Sequence, residues 1–127
     1  MITGADRGLG LALVQEYLKR GDRVFAGKYG KNWHLLEKLK ESFPDALSIV
    51  DLDVRSNESV AKAADFILAN TNAIDILINN AAVWKEQNTG TILEDKMDYE
   101  AMMEQFNVNA LGALRVTHAL IHAVLNS

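Results

Sequence analysis

Two hydrophobic rhythms alternate along the chain. Gly10, Leu13, Val14, Tyr17 and Leu18 recur at the spacing that gathers side chains on one helix face, and Arg20-Gly21 supplies a stop. Residues 23–27, "RVFAG", are short, apolar and bounded by turn formers, which predicts a strand. Leu35, Leu36, Leu39 and Phe43 predict a second helix, ended by Pro44, whose ring and missing N–H cannot continue it. "LSIVDLDV", residues 47–54, predicts another strand. Ser56 can cap a third helix with a buried stripe of Val60, Ala63, Ala64, Ile67 and Leu68. "IDILINN", residues 74–80, predicts a buried strand, and residues 83–97 a polar loop. From about Asp98 a helical period runs almost to the end, its stripe marked by Met103, Phe106, Ala110, Ala113, Leu114, Thr117, Leu120, Ile121 and Val124. One unbroken helix there would be about 40 Å long at 1.5 Å per residue.

Strands separated by helices imply βαβ units and a parallel sheet covered on both faces. Right-handed crossovers then give an α/β, doubly wound sheet of Rossmann type in the order 3-2-1-4. Its first strand is the short segment before "TGADRGLG", and only Met1 and Ile2 precede that turn, so the sheet is expected to be incomplete. Such sheets bind ligands at the carboxyl ends of the strands, in the crevice between the first and the fourth.

Composition narrows the options. The 127 residues suffice for one domain with a core. A net charge of −4 offers no basic footprint for nucleic acid. There is no cysteine, hence no disulfide or thiolate metal site. No apolar run approaches the roughly 18 residues of a membrane span and no signal peptide is visible, so a cytoplasmic location away from membranes is the expectation.

The turn T-G-x-x-x-G-x-G carries the chemistry. Gly4 would let the chain turn sharply out of the strand, Gly8 would let backbone approach a pyrophosphate, and Gly10 would let the helix pack closely. The amides near Leu9 would point at phosphate, aided by the helix dipole. An ordinary tight turn explains the glycines alone; the strand-turn-helix setting favours a nucleotide.

Four segments in order resemble the short-chain dehydrogenases/reductases, over essentially the whole chain. "TGADRGLG" is similar to that family's cofactor turn, with Thr3, Gly4, Gly8 and Gly10 in register. "LDV", residues 52–54, resembles its adenine contact. "DILINNAA" resembles its Asn-Asn-Ala-Gly segment, with Ala82 in place of the usual glycine, and "FNVNALGALRVTHAL" the helix with its active-site asparagine, here Asn109. Carbonyl-reductase-like, sniffer-type members are the most similar in character. The resemblance implies a nicotinamide dinucleotide. Asp53 would accept a bond from the adenine amino group with Val54 packed nearby, although a polar strand end or helix cap explains Asp53 equally. Asn79 would brace neighbouring strands, and the backbone from Asn80 through Ala81 and Ala82 would line the ribose. Asn109 would distort its helix and hold, by its carbonyl, a water of the proton relay; a satisfied core or interface asparagine is the alternative.

Charge bears on which dinucleotide. A free ribose 2′-hydroxyl is usually held by an acid after the second strand, whereas a 2′-phosphate needs cations. After residues 23–27 come Lys28 and Tyr29, and Arg7 precedes Gly8, where the family's NADP-using members often place a base. NADP(H) is therefore expected, with NAD the alternative and solvated surface charge the bland reading of Arg7 and Lys28. His118 and His122 share a helix face without a further ligand and are expected at the surface. Val83 and Trp84 are either substrate-pocket residues or loop anchors.

The family moves hydride between the nicotinamide and a small-molecule carbonyl or alcohol, using a tyrosine, a lysine four residues later and a serine. No such pair is present: Tyr17, Tyr29 and Tyr99 are followed four positions on by Gly21, Trp33 and Met103. The expectation is the cofactor-binding half of a single domain, cut at both ends and inactive alone. The last helix is apolar on more than one side, through Val108, Leu111, Val116 and Ala119, and the family uses it in dimers, so the full-length protein would be a homo-oligomer. Two other readings stand: a non-catalytic nucleotide-sensing protein on the same fold, and a sugar-nucleotide epimerase or dehydratase relative, whose T-G-x-x-G-x-x-G spacing is not found here.

Overall fold

Strand β1 (Val24–Lys28) and strand β2 (Leu47–Asp51) pair in parallel, with Val24 opposite Leu47 and Lys28 opposite Asp51. These belong to a computed structural model that describes residues 1–85, 92–93 and 96–127. The other edge of β1 is taken by Ile2, which bridges in parallel to both Ala26 and Ile78. Its N–H donates to Phe25 O at 3.0 Å and its carbonyl accepts from Gly27 N–H at 2.8 Å, while Thr3 N–H donates to Ile78 O at 3.0 Å. The lateral order is therefore β2, β1, the Ile2 segment and the Ile78 segment, the 3-2-1-4 order expected. Among the described residues the regular sheet consists of the two named strands. Residues 74–80, expected as a full strand, form a single bridge, because only Met1, Ile2 and Thr3 run alongside them.

Alternation along the strands sorts side chains to two cores. Val24, Ala26 and Leu47 meet Val14 and Leu18 of helix α1 (Gly8–Lys19) and Leu36 of helix α2 (Leu35–Ser42). Phe25 and Val50 meet Val60, Ala64 and Ile67 of helix α3 (Asn57–Leu68) on the opposite face. This is the doubly wound arrangement. The expected strand over 47–54 stops at Asp51 because the next residues turn toward α3: Asp53 N–H donates to Ser59 Oγ at 2.9 Å, and Ser56 caps the helix by accepting from Ser59 N–H at 3.1 Å. Leu68, expected in the buried stripe of α3, is 43% exposed, one position past the buried Ile67.

The long C-terminal helical body is three pieces: α4 (Tyr99–Phe106), a π-helical turn (Asn107–Gly112) and α5 (Ala113–Leu125). Its buried line is Val108, Gly112, Val116, Leu120 and Ala123, packed on α3 and β2. The expected stripe is offset from this line: Met103, Phe106 and Leu114 are exposed. With apolar residues all round, period alone does not choose the face. Close approach does, since a Cβ on Gly112 would stand 2.7 Å from Val54 Cγ2. The segment 99–125 is also long and apolar enough to cross a membrane by length and composition, contrary to the expectation from sequence. In this fold it is a packing helix with one face in the domain core.

The offset is testable. Leu120→Ala is expected to lower unfolding free energy by about 2–5 kcal/mol, and Leu114→Ser to change it by less than about 0.5 kcal/mol, both by urea titration.

Candidate functional site

The site begins where Ile2 hands over to α1. Gly4 (φ 60°) and Gly8 (φ 53°) take left-handed backbone, which L side chains rarely adopt. Arg7 between them is extended and gives α1 no side-chain cap. The first helical bond runs from Leu11 N–H to Arg7 O at 3.2 Å, so the N–H groups of Gly8, Leu9 and Gly10 lie ahead of the ladder. Free N–H groups at a helix start, with the helix dipole behind them, are the kind of group that can hold an anion. Around Gly8 a Cβ would meet nothing within 4 Å, so this backbone faces open space. Gly10 is different: its Cβ would lie 2.1 Å from Gly4 O and 2.6 Å from Asn80 Nδ2. It serves contact with the turn and with Asn80.

A four-bond stitch holds the turn to the segment after Ile78. The fully buried Thr3 hydroxyl accepts from Asn80 N–H at 3.0 Å and from Ala81 N–H at 2.9 Å. The Asn80 amide donates to Thr3 O at 3.0 Å and Gly4 O at 2.9 Å. Bracing was expected of Asn79; Asn80 performs it. Asn79 instead donates to Thr117 Oγ1 of α5 at 3.0 Å. Its side chain lies on the other side of the backbone, toward the helix.

Between these walls lies a cleft of about 540 Å³. Gly4, Arg7, Gly8, Leu9 and Gly10 form one side, Asn80, Ala81 and Ala82 another, and Asp53 and Val54 close one end. These expected residues thus converge. Thr3 stands behind the wall as its fastener. Lys28 does not reach the cleft. It lines an adjoining recess, and its ammonium pairs with Glu37, whose carboxyl is held below its ordinary value by that bond. Asn109 sits in the π turn, as expected of a residue that distorts its helix. Its side chain clasps Val83, accepting from the Val83 N–H at 2.8 Å and donating to the Val83 carbonyl at 2.9 Å. Val83 is thereby a wall anchor, and Trp84 beside it is 76% exposed. His118 and His122 are on the surface. Residues 86–91 and 94–95 of the expected loop lie outside the described residues.

Several cleft residues were not anticipated, among them Asp6, Arg55, Tyr29, Lys85 and Glu104. Asp6 is buried, and its Oδ2 accepts from Gly30 N–H at 2.8 Å, fixing the turn after β1. Arg55 donates through Nε and Nη2 to the Asp53 carboxylate and reaches Glu104 Oε1 through Nη1 at 2.9 Å. Tyr29 accepts a bond from Arg55 Nη2, and the guanidinium stands 5.1 Å from its ring centroid. Hydrogen bonds from Arg55 hold the Asp53 carboxyl below its ordinary range, and the same bonds raise the guanidinium further. One signal was available: an aspartate at a strand end bonds readily to the backbone two residues on, and Arg55 N–H does donate to Asp53 Oδ1 at 3.0 Å, which brings the two side chains together. Asp6 in a turn of small residues offered none. Arg7 remains at the rim, its guanidinium 5.6 Å from the Trp33 ring centroid. Among the described residues lining the cleft, each carboxylate already has a donor.

Residues 1–127 match the family model described as short chain dehydrogenase. The chain is 32% identical over 127 residues to a cis-1,2-dihydrobenzene-1,2-diol dehydrogenase of Pseudomonas putida, covering 100% of this chain and 46% of that protein. It is 30% identical over 123 residues to an NADP-dependent 3-hydroxy acid dehydrogenase of Escherichia coli, covering 95% and 46%. The NADPH-bound carbonyl reductase from chicken fatty liver superposes with a TM-score of 0.82 at 29% identity, over 96% of this chain and 49% of that one. The chain spans about half the length of the curated relatives it matches.

Two outcomes follow from the geometry. Thr3→Val removes the acceptor of two N–H groups and is expected to cost about 1–3 kcal/mol of stability, read by thermal and urea unfolding. A folded-state Asp53 pKa below the ordinary 3.8 gives stabilisation that is complete above that value and lost as pH falls through the lowered one. The stability difference between the natural chain and Arg55→Met should therefore be constant from about pH 5 to 8 and shrink below about pH 4.

Proposed function

Because this chain belongs to the short-chain dehydrogenase family, we propose that its 127 residues form the dinucleotide-binding part of an NADP(H)-dependent oxidoreductase. The reaction proposed for the whole protein is hydride transfer between the nicotinamide and a small-molecule carbonyl or alcohol carbon. The observation that carries this is the uncapped start of α1, walled by glycine and open to the cleft.

The residues fit the cofactor. The amides of Gly8, Leu9 and Gly10 would hold the diphosphate, where the helix dipole favours negative charge. The backbone of Asn80, Ala81 and Ala82 would line the ribose. Asp53 would receive the adenine amino group on Oδ2 in exchange for the longer of its Arg55 bonds, the one from Nε at 3.3 Å. The cofactor, when bound, supplies the hydride. This chain's contribution is to bind and orient it, with Asn109 holding the wall at Val83. The serine and the Tyr-x-x-x-Lys of the family are not among these residues, so turnover is assigned to the whole protein. The exposed line of Met103, Phe106 and Leu114 supports self-association of that protein.

Preference for the phosphorylated cofactor rests on Arg7. It lies at the cleft rim with no carboxylate paired to it among the described residues. The end of β1 and the turn after it read Lys28, Tyr29, Gly30, Lys31 and offer no acid to a 2′-hydroxyl. Lys28 is engaged by Glu37, which leaves Lys31 of the adjoining recess as the second cation. The NADP dependence of one relative and the NADPH bound in one structural neighbour point the same way.

Calorimetric titration of the chain tests the reading. NADPH is expected to bind more tightly than NADH. Arg7→Ala should weaken NADPH about tenfold, the scale of one charge-assisted bond, and leave NADH within about twofold. Gly8→Asp, which places a carboxylate among the amides, should abolish binding of both. Failure of the folded chain to bind either dinucleotide would overturn the proposal.

A further inference from the structure

Helix α4 buries none of its residues: Tyr99, Met103 and Phe106 are 71%, 66% and 55% exposed. It is formed locally, since Asp98 caps it by accepting from Ala101 N–H at 2.9 Å. It runs on into the π turn, and among the described residues the side-chain bonds that tie its own face to the domain are polar. Glu104 receives Arg55 Nη1 on Oε1 at 2.9 Å and the Lys85 ammonium on Oε2. Gln105 Oε1 adds a longer bond from Lys85 N–H, at 3.3 Å. Arg55 in turn divides its donors between Glu104, the Asp53 carboxylate and the Tyr29 hydroxyl. One carboxylate and one guanidinium thus join α4 to the turn after β1, the end of β2 and the segment after Ala82. Tyr29, Asp53, Arg55, Lys85 and Glu104 all line the same cleft.

We propose that the Arg55–Glu104 pair is a latch that holds α4 at the mouth of the cleft, and that Glu104 is a positioning residue for retention of the dinucleotide. It acts through Arg55, which orients Asp53 and Tyr29 at the end assigned to adenine. The ligand named here rests on the proposed function; the latch itself does not. Electrostatics alone predicts the opposite effect. Glu104 is an anion beside a site for an anionic ligand, so removing its charge without any loss of position would tighten binding.

The test pairs Glu104→Gln, which keeps shape and removes charge, with two readouts. The first is amide exchange over residues 99–106 without ligand. It is expected to quicken in the variant while α3 is unchanged and the urea midpoint stays the same. The second is stopped-flow dissociation of NADPH, expected to be about fivefold faster in the variant, the scale of a favourable exposed ion pair. The difference should fade in about 1 M salt, where screening shortens to a few ångströms. Unchanged exchange over 99–106, or equal or slower NADPH release, overturns the latch. If the natural chain binds no NADPH, the functional reading fails by itself, and exchange alone then decides the latch.

Discussion

The hydroxyl of Thr3 is the point on which the site depends. It has no exposure to water and is the acceptor for two consecutive backbone amides, those of Asn80 and Ala81. The return bonds come from the Asn80 amide to the carbonyls of Thr3 and Gly4. Buried backbone groups must find partners, and here the Ile2 segment and the Ile78 segment are too short alongside each other to supply them by ladder pairing. Two side chains replace the ladder. The same bonds set the distance between the glycine turn and the opposite wall, so the cleft's width follows from a requirement of the backbone.

The wider architecture serves that spacing. Gly10 has room for hydrogen only, which seats α1 on the turn and on Asn80. Asn109, in the π turn, clasps both backbone groups of Val83 and extends the wall. Gly112 lets the helical body approach Val54, and Arg115 adds a bond to the Val54 carbonyl at 3.2 Å. Charges are then sorted around the opening. Among the described residues lining it, the carboxylates of Asp6, Asp53 and Glu104 are each tied to a donor, whereas the α1 amides and Arg7 line the cleft with no carboxylate paired to them.

Much of this was legible in the residues. Strand-helix alternation gave the 3-2-1-4 order, because short apolar runs bounded by turn residues, as buried parallel strands require, alternate with stretches of period 3.6. The glycine spacing placed the turn, and Ser56 marked the start of α3. Legibility failed where a pattern had no unique solution. The C-terminal body is apolar on several sides, so its buried line, Val108 to Ala123, was set by close contact at Gly112 and not by period. Neighbouring asparagines point to opposite sides of an extended backbone, and nothing in their order said which would turn toward Thr3. Asp6 and Arg55 find Gly30, Glu104 and Tyr29 only through the fold, since those partners lie 24 to 49 residues away in sequence. Lys28 reads in the sequence as a cation for the cofactor or for solvent; its partner Glu37 lies nine residues on, in the first turn of α2.

The central claim is that the first amides of α1 receive a diphosphate. Amide resonances of the isotopically labelled chain, followed during addition of NADP+, test it directly. The largest shifts should fall on Gly8, Leu9 and Gly10, with smaller ones on Asn80 and Ala81. Shifts absent there, or gathered instead around the separate cavity of about 180 Å³ lined by Tyr17 and Ile76, would contradict it.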